Sequence, residues 1–600
     1  MKDGRWTSGK ARNPMWIQRT INAIVIVGLS GVLEACEPAD TGYKVSVIST
    51  MTKVRRDEFG PGRPGLDVKL TAARGEGESA QLLIQATQPL EGVEVTATPL
   101  DGPDGQRLPL ELLRVWYVPI TNPTPVGFGK QGPYPDPLVP MRPFDVAAGE
   151  SQGIWVTCWV PRDAVPGDYR GRVKIQPKGT AASEIDVTVR VSTAQLPIVP
   201  ALRTSFDYWH AGADPMWYGK QDWKTREARF LDDLLKYRIS TPPDLPWADV
   251  FQRGKDGTWI ARWDEFDRQV ERWRAKGTAF FMLRRQVFPW YGREVPREMA
   301  DRDAIAAKLQ LLDAHLEEKG WSDRFGFYLF DEPILSADWP KAGDTQGPEN
   351  VEAIKAIGRF LREHAPHLRM IIVACDPAYE SVAIDQPTYI WCPHINHFNA
   401  KFQAQRQQLG EQNWMYVCMT TWKSTFPDMW RIDRPGMSHR AIGSWLWRYQ
   451  CDGFLFWCVD YWRKNPFETP DIFAEAVNGD GFLFYPDPGK KRDPCPSIRA
   501  ALMRDGFEDY ELLMLVRSAA QTLGSAGATL PPAKRAAATK WLASARQLLN
   551  VEDVIPATNR FSEDAAPYEN RHRRLLRLLD TLEEDAVLRK LVPTSVAVSP

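Results

Sequence analysis

The sequence has almost no net charge: 75 Lys and Arg stand against 76 Asp and Glu, leaving −1 at pH 7. Without a basic excess there is no electrostatic footing for nucleic acid or for an anionic membrane surface. It also lacks any C-x-x-C pair, which removes the zinc-site and thioredoxin-type readings. Among its 8 cysteines, Cys158, Cys375, Cys418 and Cys458 sit inside apolar runs and read as small buried hydrophobes. A dense disulfide framework is not expected, although one bridge stays open. No metal and no cofactor are expected either.

Long hydrophobic runs are nearly absent. The one apolar stretch, Ile21 to Leu33, is too short to span a bilayer comfortably, and it follows Lys2, Arg5, Lys10, Arg12 and Arg19. Residues 1–36 therefore read as an export signal. The stretch ends Leu33-Glu34-Ala35-Cys36, which is similar to a bacterial lipobox, with Glu34 in place of the usual small or aliphatic residue. A lipid anchor at Cys36 stands beside two alternatives, ordinary signal cleavage nearby and an uncleaved anchor. The expected address is the periplasm or a surface lipoprotein, otherwise secretion, with any membrane contact made through Cys36.

Tryptophan is plentiful. Many of the 24 fall between residues 200 and 470. Flat aromatic faces stack on the C–H faces of sugars, so tryptophan in a cleft suggests carbohydrate. For most of them burial in a core is the simpler reading.

Six hundred residues exceed a single core and suggest about three domains. Residues 41–199 read as a β-sandwich. Short alternating runs such as Ala80–Gln85, Gly153–Val160 and Glu184–Val191 are separated by Gly- and Pro-rich turns. No catalytic cluster appears there, and an accessory packing role is expected. From residue 200 to 495 the pattern changes to strands alternating with amphipathic helices. Strands are expected at Thr204–Trp209, Arg238–Pro243, Thr278–Leu283, Gly326–Asp331, Arg369–Ala374, Thr388–Trp391, Trp414–Met419 and Gly453–Trp457. Eight strands with intervening helices describe a (β/α)8 barrel. Residues 496–592 read as helices packed on the barrel's side, with an oligomer contact as the other option. Arg504, Asp505, Glu508 and Asp509 look there like a structural ion network.

The barrel is organised around Gly326-Phe327-Tyr328-Leu329-Phe330-Asp331-Glu332-Pro333. A continuous apolar run reads as a strand buried on both faces, yet this one ends on two carboxylates. In barrel enzymes the C-terminal strand ends face the active site. Two carboxyls there suit acetal cleavage, one donating a proton and one stabilising positive charge. The bland alternative is a helix N-cap or a salt bridge. Other strand ends supply further candidates for substrate contact: Tyr208 and Trp209, then His394 and Asn396, Thr420 and Trp422, and Trp457, Asp460, Tyr461 and Trp462. Of these, Trp457 and Tyr461 are the better placed. For His394 a satisfied loop histidine is an equal reading.

Phe330–Pro333, Phe454–Trp462 and Arg504–Leu512, in this order, resemble glycoside hydrolase family 123, which contains β-N-acetylgalactosaminidases. The resemblance implies a β-sandwich before a (β/α)8 barrel. It also implies substrate-assisted retaining hydrolysis of a terminal β-linked N-acetylgalactosamine. Glu332 would be the acid and then the base. Asp331 would orient the 2-acetamido group, whose oxygen attacks the anomeric carbon to give an oxazolinium-type intermediate. A low-dielectric pocket beside a second carboxylate favours the protonated form of Glu332, as an acid at neutral pH requires. The expected partner is a glycan or glycoconjugate. Two alternatives stand: a glycosidase of different specificity, for N-acetylglucosamine or a plain hexoside with Asp207 or Asp460 as a second carboxylate, and a non-catalytic glycan-binding surface lipoprotein.

Overall fold

The computed structural model describes residues 41–591, apart from 61–66, 126–128, 210–214, 220–222, 243–244, 293–294, 297, 334–349, 420–424, 492 and 527–529. The export segment with Cys36, and the candidates Thr420 and Trp422, lie outside the described residues.

The N-terminal region is β-rich. Five strands form one sheet in the order Tyr43–Ile48, Gly77–Ala86, Ser151–Trp159, Leu110–Ile120 and Gly132–Pro140. A second sheet runs Asp67–Arg74, Ser183–Gln195, Gly167–Gln176, Leu90–Ala97 and Phe144–Val146, with two short strands at its side. The sheets share a core: Leu82, Ile84, Ile154 and Val156 from the first meet Tyr169, Val173, Val187 and Val189 from the second. In Ser183–Gln195 the buried Ile185, Val187, Val189 and Val191 alternate with more exposed residues, as expected where one face meets solvent. Gly77–Ala86 and Ser151–Trp159 are buried almost throughout. Their sheet has two covered faces, because Leu113, Val115, Leu138 and Trp155 also join the core formed with the barrel and the C-terminal helices.

Seven parallel strands then make a nearly closed barrel: β1 (Arg203–Phe206), β2 (Phe281–Leu283), β3 (Phe325–Phe327), β4 (Arg369–Ala374), β5 (Tyr389–Pro393), β6 (Gln412–Val417) and β7 (Gly453–Phe456). Their order around the sheet is β1-β7-β6-β5-β4-β3-β2. Over its described residues, 238–242, the strand expected at Arg238–Pro243 does not form. Arg238 sits at φ +61°, outside the β region, and Pro242 and Pro243 withdraw donors that a ladder needs. The segment fills the gap between β1 and β2 by other means. Phe206 N donates to Ser240 O (2.9 Å), Ser240 N donates to Thr204 Oγ1 (3.0 Å), and Ala279 N donates to Ser240 Oγ (2.9 Å). Helices Trp223–Lys236, Asp264–Lys276, Arg302–Glu318, Asn350–His364, Ala400–Gln408 and Gly436–Arg448 cover the outside. A hairpin, Phe251–Arg253 with Trp259–Ala261, was not foreseen. The last leucine-rich helix is split, Ala566–Glu584 and then Ala586–Leu591.

The long helix Ile498–Ala526 is buried over most of its length. It approaches Gly436–Arg448 so closely that a Cβ on Gly443 would lie 1.8 Å from Gly506 O. Its charged residues all find partners. Arg499 pairs with Asp136 of the β-rich region (2.9 Å), Glu508 with Arg238 (3.4 Å), and Asp509 with Arg440 (2.8 Å) and His572 (2.9 Å). Glu511 accepts from Ala201 N and Leu202 N at the entry to β1. The ion network expected from the sequence thus ties together the β-rich sheet, the barrel and the C-terminal helices.

This network fixes a pH dependence. Burial pushes Glu78 up to about 7 and Glu508 up to about 8. Burial would lower His572, but Glu76, Glu78 and Asp509 hold its proton up to about 10. Each group binds its proton more tightly folded than unfolded, so its contribution is present at low pH and lost as pH rises through these values. Thermal unfolding followed by calorimetry should show stability falling from pH 6.5 to 8, by about 1.4 kcal/mol per pH unit for each proton difference; above pH 8 Lys53, which burial lowers to about 8, offsets His572. Glu508→Gln should flatten the part of the slope below pH 8. A stability that is level or rising across this range would contradict the assignment.

Candidate functional site

The barrel interior is filled by side chains that alternate inward along the strands: Met282, Tyr328, Val373, Cys392, Tyr416 and Leu455 above Phe280, Ile371, Ile390 and Trp414. Gly453 makes room for Trp414, since a Cβ there would meet the indole at 2.2 Å. Above this filling, at the C-terminal strand ends, polar groups collect.

Alternation breaks on the line leading from β3. Tyr328 points into the barrel, Leu329 and Phe330 both join the outer core, and Asp331 returns inward to accept a hydrogen bond from Tyr328 Oη (2.8 Å). The line is still tied to its neighbour, with Asp331 N donating to Gly292 O (2.8 Å). Glu332 then adopts φ +46°, the left-handed region that costs an L-residue about 1–2 kcal/mol. That turn brings two consecutive carboxylates into one mouth, which an extended strand would send to opposite faces. Glu332 accepts from the Tyr416 hydroxyl, and the Cys375 thiol lies against it. Burial first, and then the neighbouring carboxylates, push the Tyr328 and Tyr416 hydroxyls well above the phenol range, so both stay neutral donors.

Beside Asp331 lies an ion pair. Arg284, just after β2, binds Asp207, just after β1. The guanidinium stacks on Tyr291 (4.8 Å) and Tyr328 (5.6 Å). Burial raises Asp207, Arg284 opposes this, and the Asp331 charge adds to the rise.

The end of β7 carries an aromatic cluster. Trp457 and Tyr461 meet edge to face (5.0 Å), and the half-exposed Trp209 meets Tyr461 at 4.9 Å and Trp457 at 6.4 Å. Trp457 is pinned from behind, donating through Nε1 to Asp480 (2.8 Å). Burial pushes this carboxyl up to about 7, against the opposing Trp457 and Gly481 hydrogen bonds. Gly481 packs under the indole, where a Cβ would sit 2.5 Å from Cζ2.

The other candidates divide. His394 is fully buried at the end of β5, edge-on to Tyr416 (5.1 Å), and burial lowers it to about 3. It is a neutral wall behind the Tyr416 ring. Asn396 follows in the next turn, its backbone N–H donating to His394 Nδ1 (3.3 Å). Tyr208 faces outward against Phe230 (5.6 Å) and Trp223. Asp460 is fully buried and accepts from Trp209 N (2.8 Å), holding the loop that carries Trp209. Trp462 is 3% exposed and donates to Phe484 O, within the core shared with Trp217. The sequence reading passed over Arg284, Tyr291, Tyr328, Cys375, Tyr416 and Asp480. Stepping by two along the strands would have flagged Tyr328 and Tyr416 as inward-facing, and one further step from Met282 reaches Arg284.

Residues 251–516 match the model for the glycoside hydrolase 123 catalytic domain, and residues 55–177 match that for the glycoside hydrolase 123 N-terminal domain. Asp207 lies between the two segments. A solved family 123 glycoside hydrolase from Clostridium perfringens, described for glycolipid glycan hydrolysis, is 14% identical with a TM-score of 0.58, over 92% of this chain and 100% of that one. At that identity the likeness is one of fold. A GH5 xyloglucanase from Bacteroides ovatus reaches only a TM-score of 0.27 at 9% identity, covering 78% of this chain and 100% of its own, and carries no argument. No curated protein matches the chain in sequence.

The left-handed turn at Glu332 has a measurable consequence. Glu332→Gly and Glu332→Ala both remove the carboxylate, but only glycine adopts φ +46° without strain. Glu332→Gly should be the more stable of the two by about 1 kcal/mol in urea unfolding. Equal stability, or a more stable alanine variant, would show that the turn is unstrained.

Proposed function

The chain belongs to glycoside hydrolase family 123 and is a glycoside hydrolase, and from that premise we propose that it removes terminal β-linked N-acetylgalactosamine by a substrate-assisted, retaining mechanism. The observation that carries this reading is the convergence of two adjacent carboxylates, each held by its own phenol, Asp331 by Tyr328 and Glu332 by Tyr416. An ordinary retaining pair faces itself across the bond at about 5 Å, and an inverting pair is more widely spaced. Consecutive residues at one strand end suit a different division of labour. Glu332 protonates the glycosidic oxygen. Asp331 accepts from the 2-acetamido N–H and stabilises the positive charge that spreads onto the group as its oxygen attacks the anomeric carbon. Glu332, now a base, takes a proton from the water that opens the intermediate.

The neutral phenols serve both steps. Each donates to a carboxylate without adding charge, and each fixes its partner's direction before substrate arrives. Trp457, Tyr461 and Trp209 would provide the apolar wall under the sugar and around the acetamido methyl. Asp207 is less suited to be a separate nucleophile, since its charge is already bound by Arg284. In the same reading the two N-terminal sheets are a β-sandwich, and residues 238–241 take the place of the second strand of a (β/α)8 barrel. Residues 1–36 export the enzyme, with Cys36 as the lipid attachment point.

Hydrolysis of aryl β-glycosides of N-acetylgalactosamine, N-acetylglucosamine, galactose and glucose tests the mechanism. Activity should be confined to acetamido sugars. Glu332→Gln should lower kcat by about 10²–10⁴, and Asp331→Asn by about 10²–10³. Turnover of the plain hexosides would overturn the assisted mechanism.

A further inference from the structure

Three observations at the Asp207–Arg284 pair point to a ligand. The guanidinium is largely withdrawn from water, yet its Nε is buried with no hydrogen-bond partner among the described residues. A buried N–H left unmade is destabilising, and because Arg324 and Arg369 show the same feature it counts at Arg284 only together with the next two observations. Its plane is fixed against the rings of Tyr291 and Tyr328, which gives it one orientation to offer. Both side chains keep part of their surface open at the barrel mouth, 26% for Arg284 and 22% for Asp207.

We propose that Asp207 and Arg284 form a two-point clamp for the 3- and 4-hydroxyls of the bound sugar, Asp207 accepting from one and Arg284 donating to the other. The inference rests on the reading that Asp331 receives the 2-acetamido N–H. Asp207 lies close enough to Asp331 to feel its charge. Along a pyranose ring, the substituents that follow the 2-position are the hydroxyls at C3 and C4. A carboxylate and a guanidinium bound side by side match a vicinal diol, one hydroxyl finding an acceptor and the other a donor. A site of this kind rejects analogues without the hydroxyl far more strongly than an apolar wall rejects a misfit, because loss of the hydroxyl leaves the charged groups unpaired.

The test crosses deoxy substrates with variants. Aryl β-N-acetylgalactosaminide and its 3-deoxy, 4-deoxy and 6-deoxy analogues are turned over by the wild-type enzyme, Asp207→Asn, Arg284→Gln and the doubly neutral Asp207→Asn/Arg284→Gln protein. The double variant guards against a single change that leaves one charge buried alone. Wild type should lose at least about 100-fold in kcat/KM on the 3-deoxy or the 4-deoxy substrate. The double variant should discriminate against those same substrates by less than about 3-fold, while its loss on the 6-deoxy analogue stays at the wild-type value. Variants that keep the wild-type pattern of deoxy discrimination would overturn the clamp and leave the acetamido mechanism standing. Hydrolysis of plain hexosides, with the same collapse of discrimination when their deoxy analogues are used, would overturn the acetamido reading and leave the clamp.

Discussion

The buried helix Ile498–Ala526 is the constraint on which the rest of the molecule depends. It carries Arg499, Arg504, Asp505, Glu508, Asp509 and Glu511 into positions closed to water, and isolated charges there would be prohibitively desolvated. Arg504 pairs with Asp505 and Glu508 of the same helix, and the others reach into other regions: Arg499 to Asp136, Glu508 to Gly77 N and Arg238, Asp509 to Arg440 and His572, and Glu511 to Ala201 N and Leu202 N. The helix can therefore be buried only when all of these elements are in place. The same helix joins the apolar packing that covers the second face of the five-stranded sheet.

A barrel held from outside in this way is free to spend its interior on the mouth. The filling is aromatic and tight at the bottom, where Trp414 occupies the space left by Gly453. Toward the top the same inward positions become Tyr328 and Tyr416, whose rings pack while their hydroxyls reach upward to the carboxylates. Hydrophobic packing and catalytic orientation thus use the same two side chains. Burial keeps those phenols neutral, so they hold the two carboxyl groups without adding charge to the mouth.

Much of this was legible in residue order. Short runs at 80–85 and 153–160 marked two strands of one sheet and 184–191 a strand of the other, and apolar runs bounded by helices marked seven of the barrel strands, because burial imposes those periods locally. The Asp-Glu pair stood out as charge at the end of a buried run. Illegible features depended on partners distant in the chain. Arg238 takes its left-handed backbone where helix Trp223–Lys236 closes, with Arg238 N donating to Leu235 O (3.0 Å) and Ile239 N to Leu234 O (3.0 Å), but residue order does not show that its side chain then meets Glu508 and Gly75. Trp462 and Tyr208 look like Trp457 and Tyr461 in sequence, but a rotation of the backbone past the strand end sends them into the core.

The sequence by itself determined the alternation of elements, the family and the two carboxylates, since each rests on local pattern or on a contiguous motif. Tertiary structure alone decided what surrounds those carboxylates. Arg284 meets Asp207 across 77 positions, and Tyr416 meets Glu332 across 84. Only the closing of the sheet, which brings strand ends remote in the chain around one mouth, makes those pairs neighbours.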